Sequence, residues 1–171
     1  MTIDVEKKEI RAVALTPIVQ QTAFWAEVKS YQGIESKAFD FKVKNSEVYV
    51  DDLTKTSTYA DLLILKQALN KDTSIAYVPY GPELEPSEEM QGEFLEELSE
   101  ILRSYLPKSC IGIRYDLAWQ SHWDKPENYN ESNTWEGPPD RKYQEFRLNY
   151  NTNNWNLKRA NSDILPAHTV Y

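Results

Sequence analysis

The chain has 171 residues, 40% of them hydrophobic, and carries 19 basic against 27 acidic side chains for a formal charge of -8. That length suits one core rather than two complete domains, and the acidic balance opposes non-specific binding to nucleic acid or anionic lipid, so no DNA partner is expected. No stretch approaches the roughly 20 consecutive apolar residues of a membrane span, and residues 1–11 are too charged for a signal peptide, so the chain reads as cytoplasmic with no transmembrane segment.

After a polar start, Phe24, Val28 and Tyr31 recur at i, i+4 and i+7 with Trp25 beside them. This spacing predicts a short amphipathic helix within residues 20–31 with those side chains on its apolar stripe, stopped by Gly33. Residues 38–43 and 47–50 alternate apolar with polar side chains around Asn45-Ser46, the pattern of a hairpin. Leu62-Leu63-Ile64-Leu65 and Ile75-Ala76-Tyr77-Val78 are apolar runs separated by the polar turn Asn70-Lys71-Asp72, which predicts two strands buried on both faces. Pro79 and Gly81-Pro82 end the second run.

Ser87 then precedes Met90, Phe94, Leu95, Leu98, Ile101, Leu102 and Tyr105, a helical face that predicts a helix over residues 87–106. Ser87 is placed to cap it, with Glu88 and Glu89 near its positive pole. Pro107 closes the helix, and Cys110 to Tyr115 follows as a strand, so strand, helix and strand make a crossover toward a partly parallel sheet. The fold class is α/β in the α+β sense, a mixed and mainly antiparallel sheet of about five or six strands flanked by helices.

Residues 117–142 carry Trp119, Trp123, Trp135 and Tyr129 among Pro, Asn, Glu and Gly without an apolar period, and read as a long surface loop. Two readings stand for it, a segment that orders on binding and an insertion folded over the domain's own flank. The Asn-rich residues 149–161 read as an irregular connection. Residues 166–171 look like a strand just beginning.

Cys110 is the one cysteine, which excludes an internal disulfide, and in the run Cys110-Ile111-Gly112-Ile113 it reads as a buried small hydrophobe. His122 and His168 belong to no metal-spacing motif, so no metal is expected. No nucleophile elbow, phosphate loop or glycine-rich nucleotide fingerprint is present in a chain with five glycines.

Candidate polar groups are Lys29 at the end of the first helix, Tyr77 and Tyr80 around Gly81-Pro82, and Arg114 with Asp116 at a strand end, where sites gather in α/β domains. Each has a plain structural reading beside the functional one. Lys29 also fits a solvated cation favoured by a helix carboxyl end. Arg114 and Asp116 also fit a surface ion pair worth under roughly 1 kcal/mol, and the two tyrosines fit core or rim aromatics.

The series Gln21-Thr22-Ala23-Phe24-Trp25-Ala26-Glu27-Val28-Lys29, Ala76-Tyr77-Val78-Pro79-Tyr80-Gly81-Pro82 and Ile113-Arg114-Tyr115-Asp116 resembles, in order and rough spacing, the Fem family of peptidoglycan bridge-forming aminoacyltransferases. The segment Ile164-Leu165-Pro166-Ala167-His168-Thr169-Val170-Tyr171 is similar to the family's lead into a second domain. The resemblance implies a GNAT-like (acetyltransferase-like) domain spanning residues 1–171, the amino-terminal half of a two-domain transferase.

It further implies a UDP-muramyl-pentapeptide or lipid-linked peptidoglycan precursor as ligand, and an aminoacyl-tRNA that binds only with the second domain. Lys29 matches a lysine that meets the precursor's phosphates, and Asp116 matches a strand-end aspartate considered as an acid-base group. A lysine suits a pyrophosphate as a mobile point charge, and an aspartate can accept the proton an attacking ammonium loses.

No cofactor is implied. The sequence departs from the family in the longer, Trp-rich loop after Asp116, and in the position of Ile111, where some relatives place a tyrosine contact. A non-catalytic precursor-binding module is the alternative. A free-standing acetyltransferase is disfavoured because no Arg/Gln-x-x-Gly-x-Gly/Ala loop is present to hold the pyrophosphate of acetyl-CoA. Alone, the chain is expected to be inactive, and a homodimer is expected through the apolar surface a second domain would cover.

Overall fold

The structure is a computed structural model that describes residues 1–52, 54–119 and 126–137. Five strands, β1 (Ile3–Lys8), β2 (Glu35–Lys44), β3 (Ser57–Ala68), β4 (Ser74–Val78) and β5 (Cys110–Tyr115), form one sheet in the order β1-β2-β3-β4-β5. The first four pair antiparallel in succession, and β5 lies parallel to β4. A parallel pair cannot be closed by a tight turn, so the chain crosses over through α3 (Gln91–Arg103) before entering β5. Two further helices are α1 (Ala23–Tyr31) and α2 (Asn45–Val48). The expected mixed, mainly antiparallel sheet is present.

The sheet is covered on both faces, which explains the unbroken apolar runs. Leu62, Ile64, Ala76 and Val78 join Phe39 and Phe41 in a cluster with Phe94, Leu95, Leu98 and Leu102 of α3. On the opposite face Leu63, Leu65, Ala38 and Tyr77 pack with Ala26 and Trp25 of α1. Successive strand residues point to opposite faces, so a strand with a helix on each side must be apolar at every position.

β1 was missed as a polar start. Its Ile3 and Val5 are buried and alternate with exposed Asp4 and Glu6, a half-buried edge strand whose period of two spans few residues.

Four expectations need correction. Residues 47–50 do not pair with β2, because β1 and β3 already occupy both of its edges. The chain turns instead through α2, where Asn45 accepts Tyr49 N–H at 2.8 Å and its side chain joins Thr58 Oγ1 at 2.8 Å and Asp52 at 3.1 Å.

The second correction concerns α1. Phe24 is 63% and Tyr31 82% exposed, whereas Ala26 is buried. The helix lies close over the sheet through a small side chain, and this turns the aromatic stripe outward. Its amino end lies at Ala23, past the separate turn Val19–Gln21, and its carboxyl end is as expected. Thr22 Oγ1 accepts Trp25 N–H at 3.3 Å, and Gly33, at φ 76°, closes a Schellman motif with Gly33 N–H to Ser30 O and Ile34 N–H to Lys29 O.

Third, Ser87 does not cap the long helix. Its hydroxyl accepts Val50 N–H at 3.1 Å, residues 88–90 form a 3-10 turn, and α3 runs only from Gln91 to Arg103. Fourth, Ile111 is exposed and Cys110 only half-buried, because β5 is the edge strand of the described sheet.

Candidate functional site

The parallel register sets Tyr77 beside Arg114, so both side chains leave the sheet on the face that α1 covers. Asp116, two residues on, follows on the same side. Its main chain is fixed by β4 and the turn after it, with Asp116 N–H to Val78 O at 3.0 Å and Gly81 N–H to Asp116 O at 3.1 Å. The side chains then meet. Tyr77 Oη donates to Asp116 Oδ2 at 2.7 Å, and Arg114 Nε lies 3.4 Å from Asp116 Oδ1.

Four of the five candidate site residues therefore collect at the carboxyl ends of β4 and β5. The Arg114–Asp116 pair is mostly buried rather than on the surface, with side-chain exposures of 20% and 17%. The Tyr77 hydroxyl is held well above the ordinary tyrosine pKa, first by burial and then by its hydrogen bond and proximity to Asp116, with Arg114 opposing. It is a donor at neutral pH.

Tyr80 lies two residues past the end of β4, and its backbone takes a left-handed φ of 48° just before the cis Gly81-Pro82 bond. A non-glycine residue there carries strain of order 1–3 kcal/mol, which the surrounding contacts must hold.

Sequence reasoning missed two residues that hold the turn. Gln21, buried just before α1, donates from Nε2 to Pro79 O at 2.6 Å and accepts Leu63 N–H at 2.8 Å. Trp119 Nε1 donates to Pro82 O at 2.9 Å and its ring lies 6.3 Å from that of Phe94. Trp119 thus packs on the flank of the core. No local spacing links Gln21 to a turn some 60 residues on, so only the order of the three motifs pointed toward it.

Lys29 stands apart. Its ammonium lies 4.8 Å from the Trp25 ring centroid and 3.0 Å from Gln32 Oε1. Trp25 packs against the cluster that contains Tyr77, and no hydrogen bond or ion pair among the described residues joins Lys29 to Asp116.

A separate cleft of about 540 Å³ opens between the start of β3 and the chain at residues 83–85, with Gln21 in its wall. Among the described residues no group of three His, Cys, Asp or Glu side chains is placed to hold a metal ion, and no helix is long and apolar enough to cross a membrane. His122, His168, Trp123 and residues 164–171 lie outside the described residues.

The fold and site define an α+β domain with a Tyr-Arg-Asp group at the ends of two parallel strands. Comparison with protein-family models, curated proteins and solved structures finds no match.

Proposed function

We propose that this chain is the precursor-binding, GNAT-like domain of a Fem-type aminoacyltransferase that adds amino acids to the peptidoglycan stem peptide. The observation that carries the reading is the convergence of Tyr77, Arg114 and Asp116 with the Tyr80-Gly81-Pro82 turn, from two of the three segments on which the family resemblance rests. The order of antiparallel strands, helix crossover and parallel strand supports the acetyltransferase-like expectation.

In this reading Lys29 meets the precursor's phosphates, and Tyr77, Tyr80 and Arg114 shape the wall beside them. Asp116 accepts the proton of the attacking amine. A carboxylate has about four lone-pair sites, so one bond to each oxygen leaves acceptor capacity. Transfer uses an aminoacyl-tRNA held with the second domain.

The second reading, a non-catalytic precursor-binding module, is favoured by one feature: Tyr77 and Arg114 already engage both Asp116 oxygens, as suits a carboxylate that orients an arginine.

Calorimetric titration with UDP-muramyl-pentapeptide tests binding. The wild type should bind, and Lys29→Ala should weaken binding and reduce its salt dependence. Equal affinity in the two proteins removes Lys29 from the site. Mass spectrometry of the stem peptide, after incubation with charged tRNA and the complementing second domain, separates the two readings: loss of product in Asp116→Asn with binding retained marks the transferase.

A further inference from the structure

β3 pairs with β2 along residues 57–66 but with β4 only along residues 65–68. In an antiparallel ladder, alternate residues turn both main-chain polar groups toward the same neighbour. Leu65 is paired with β4, and Leu63 turns its N–H and C=O the same way, to the side chain of Gln21. The same alternation turns the main-chain groups of Asp61 and Tyr59 toward the side that β4 has left. Both residues line the cleft of about 540 Å³ there, which has a volume ordinary for a ligand site.

Glu83 and Glu85 also line the cleft, and Asp40 stands across from Asp61 on β2. Asp61 is engaged by Lys8 Nζ and by Ala14 N–H, each at 2.6 Å. Asp40, Glu83 and Glu85 enter no ion pair among the described residues. Among the described residues Lys8 is the one cation lining the cleft, and it is matched to Asp61. Tyr49 also lines the cleft, and Glu85, after burial and Asp52, helps raise its pKa.

We propose that this cleft binds an extended peptide segment with lysine or arginine side chains, which adds as a strand at Tyr59 and Asp61 to the edge of β3 that no described strand occupies. Main-chain groups two residues apart repeat at about 6.8 Å, the pitch of an extended peptide, and such pairing supplies affinity while side chains supply choice. The cationic side chains reach Asp40, Glu83 and Glu85. This site is distinct from the Asp116 group, and the inference does not rest on the transferase reading.

The test titrates the full 171-residue chain, followed by amide NMR, with acetyl-Lys-Val-Lys-Val-amide, its Glu-for-Lys counterpart, a version methylated on its backbone nitrogens, and cadaverine. The lysine peptide should bind and shift the amides of Tyr59 and Asp61. The other three probes should bind at least about tenfold more weakly, a difference of roughly 1.4 kcal/mol. Glu83→Gln and Glu85→Gln, both at exposed positions, should weaken the lysine peptide with the spectrum of the fold unchanged. No binding of the lysine peptide, equal binding of the glutamate or methylated peptide, or cadaverine binding as tightly overturns the proposal. In the free chain the Tyr59 and Asp61 amides should exchange rapidly, and strong protection there also overturns it.

Discussion

The carboxamide of Gln21 takes the place of a sheet rung at Leu63, accepting its N–H at 2.8 Å where β4 would otherwise have continued, and passes a donor on to Pro79 O at 2.6 Å. Proline at residue 79 has no N–H to offer the ladder, so a side chain from outside the sheet completes the bonding. Gln21→Leu leaves Leu63 N–H and Pro79 O buried and unpaired. Each such group costs about 1–3 kcal/mol, so denaturant unfolding should show a clear drop in midpoint. An unchanged midpoint would mean that water replaces the amide.

Gly81 is required by the same contact. A Cβ there would lie 2.8 Å from Gln21 Nε2 and 2.9 Å from its Cδ. Gly81→Ala should therefore destabilise the wild type and cost less in a Gln21→Ala background, a coupling of at least about 0.5 kcal/mol in a double-mutant cycle. Strict additivity would show that the two residues do not meet.

Leu98 is fully buried against the β2, β3 and β4 side chains. Leu98→Ala should cost roughly 2–5 kcal/mol through lost transfer energy and a residual cavity. Chemical denaturation with no shift would place α3 elsewhere.

Tyr77→Phe removes the donor to Asp116 Oδ2 and leaves a carboxylate oxygen short of a partner. Hydrogen bonds to charged groups contribute about 1.5–3 kcal/mol, so a loss of that order is expected. If the proposed function holds, precursor binding should weaken as well. Calorimetry on the same variant reads both effects.

Tyr77 and Tyr115 both have phenol pKa values raised in the folded chain, in each case chiefly by burial. A raised folded pKa means that the stability contribution is complete below the unfolded value, about 10, and declines as pH rises above it, because the unfolded chain releases these protons first. Stability should fall steadily above about pH 10, and Tyr115→Phe should flatten that fall. Equal slopes in the two proteins would show that Tyr115 ionises as freely folded as unfolded.

The central elements were legible because their patterns are local. The runs 62–65 and 75–78, the stripe of Phe94, Leu95, Leu98 and Leu102, and the strand Cys110–Tyr115 each repeat within a few residues, and the proline after α3 marks the crossover. What was not legible depends on partners far along the chain. The aromatic stripe of α1 has a helical period whichever side faces the sheet, and only the close seat of Ala26 decides it. Residues 47–50 look like a hairpin arm until β1 takes their edge. The candidates Tyr77, Arg114 and Asp116 could be singled out one at a time, but their grouping follows from the register of β4 and β5, and Gln21 was not among the candidates because glutamine before a helix carries no signal of its own.

The parallel pairing of β4 with β5 also orders events in time. Ser74 and Cys110 become neighbours only after α3 has been made and folded back, whereas β2, β3 and β4 can assemble from hairpin contacts with much shorter loops to close. A ribosome-bound chain whose exposed part ends before residue 110 holds the meander with the β4 edge uncovered, at the apolar stretch Ala76-Tyr77-Val78. That interval is when nascent copies are most apt to stick to one another. Expression at lower temperature should raise the yield of the folded product.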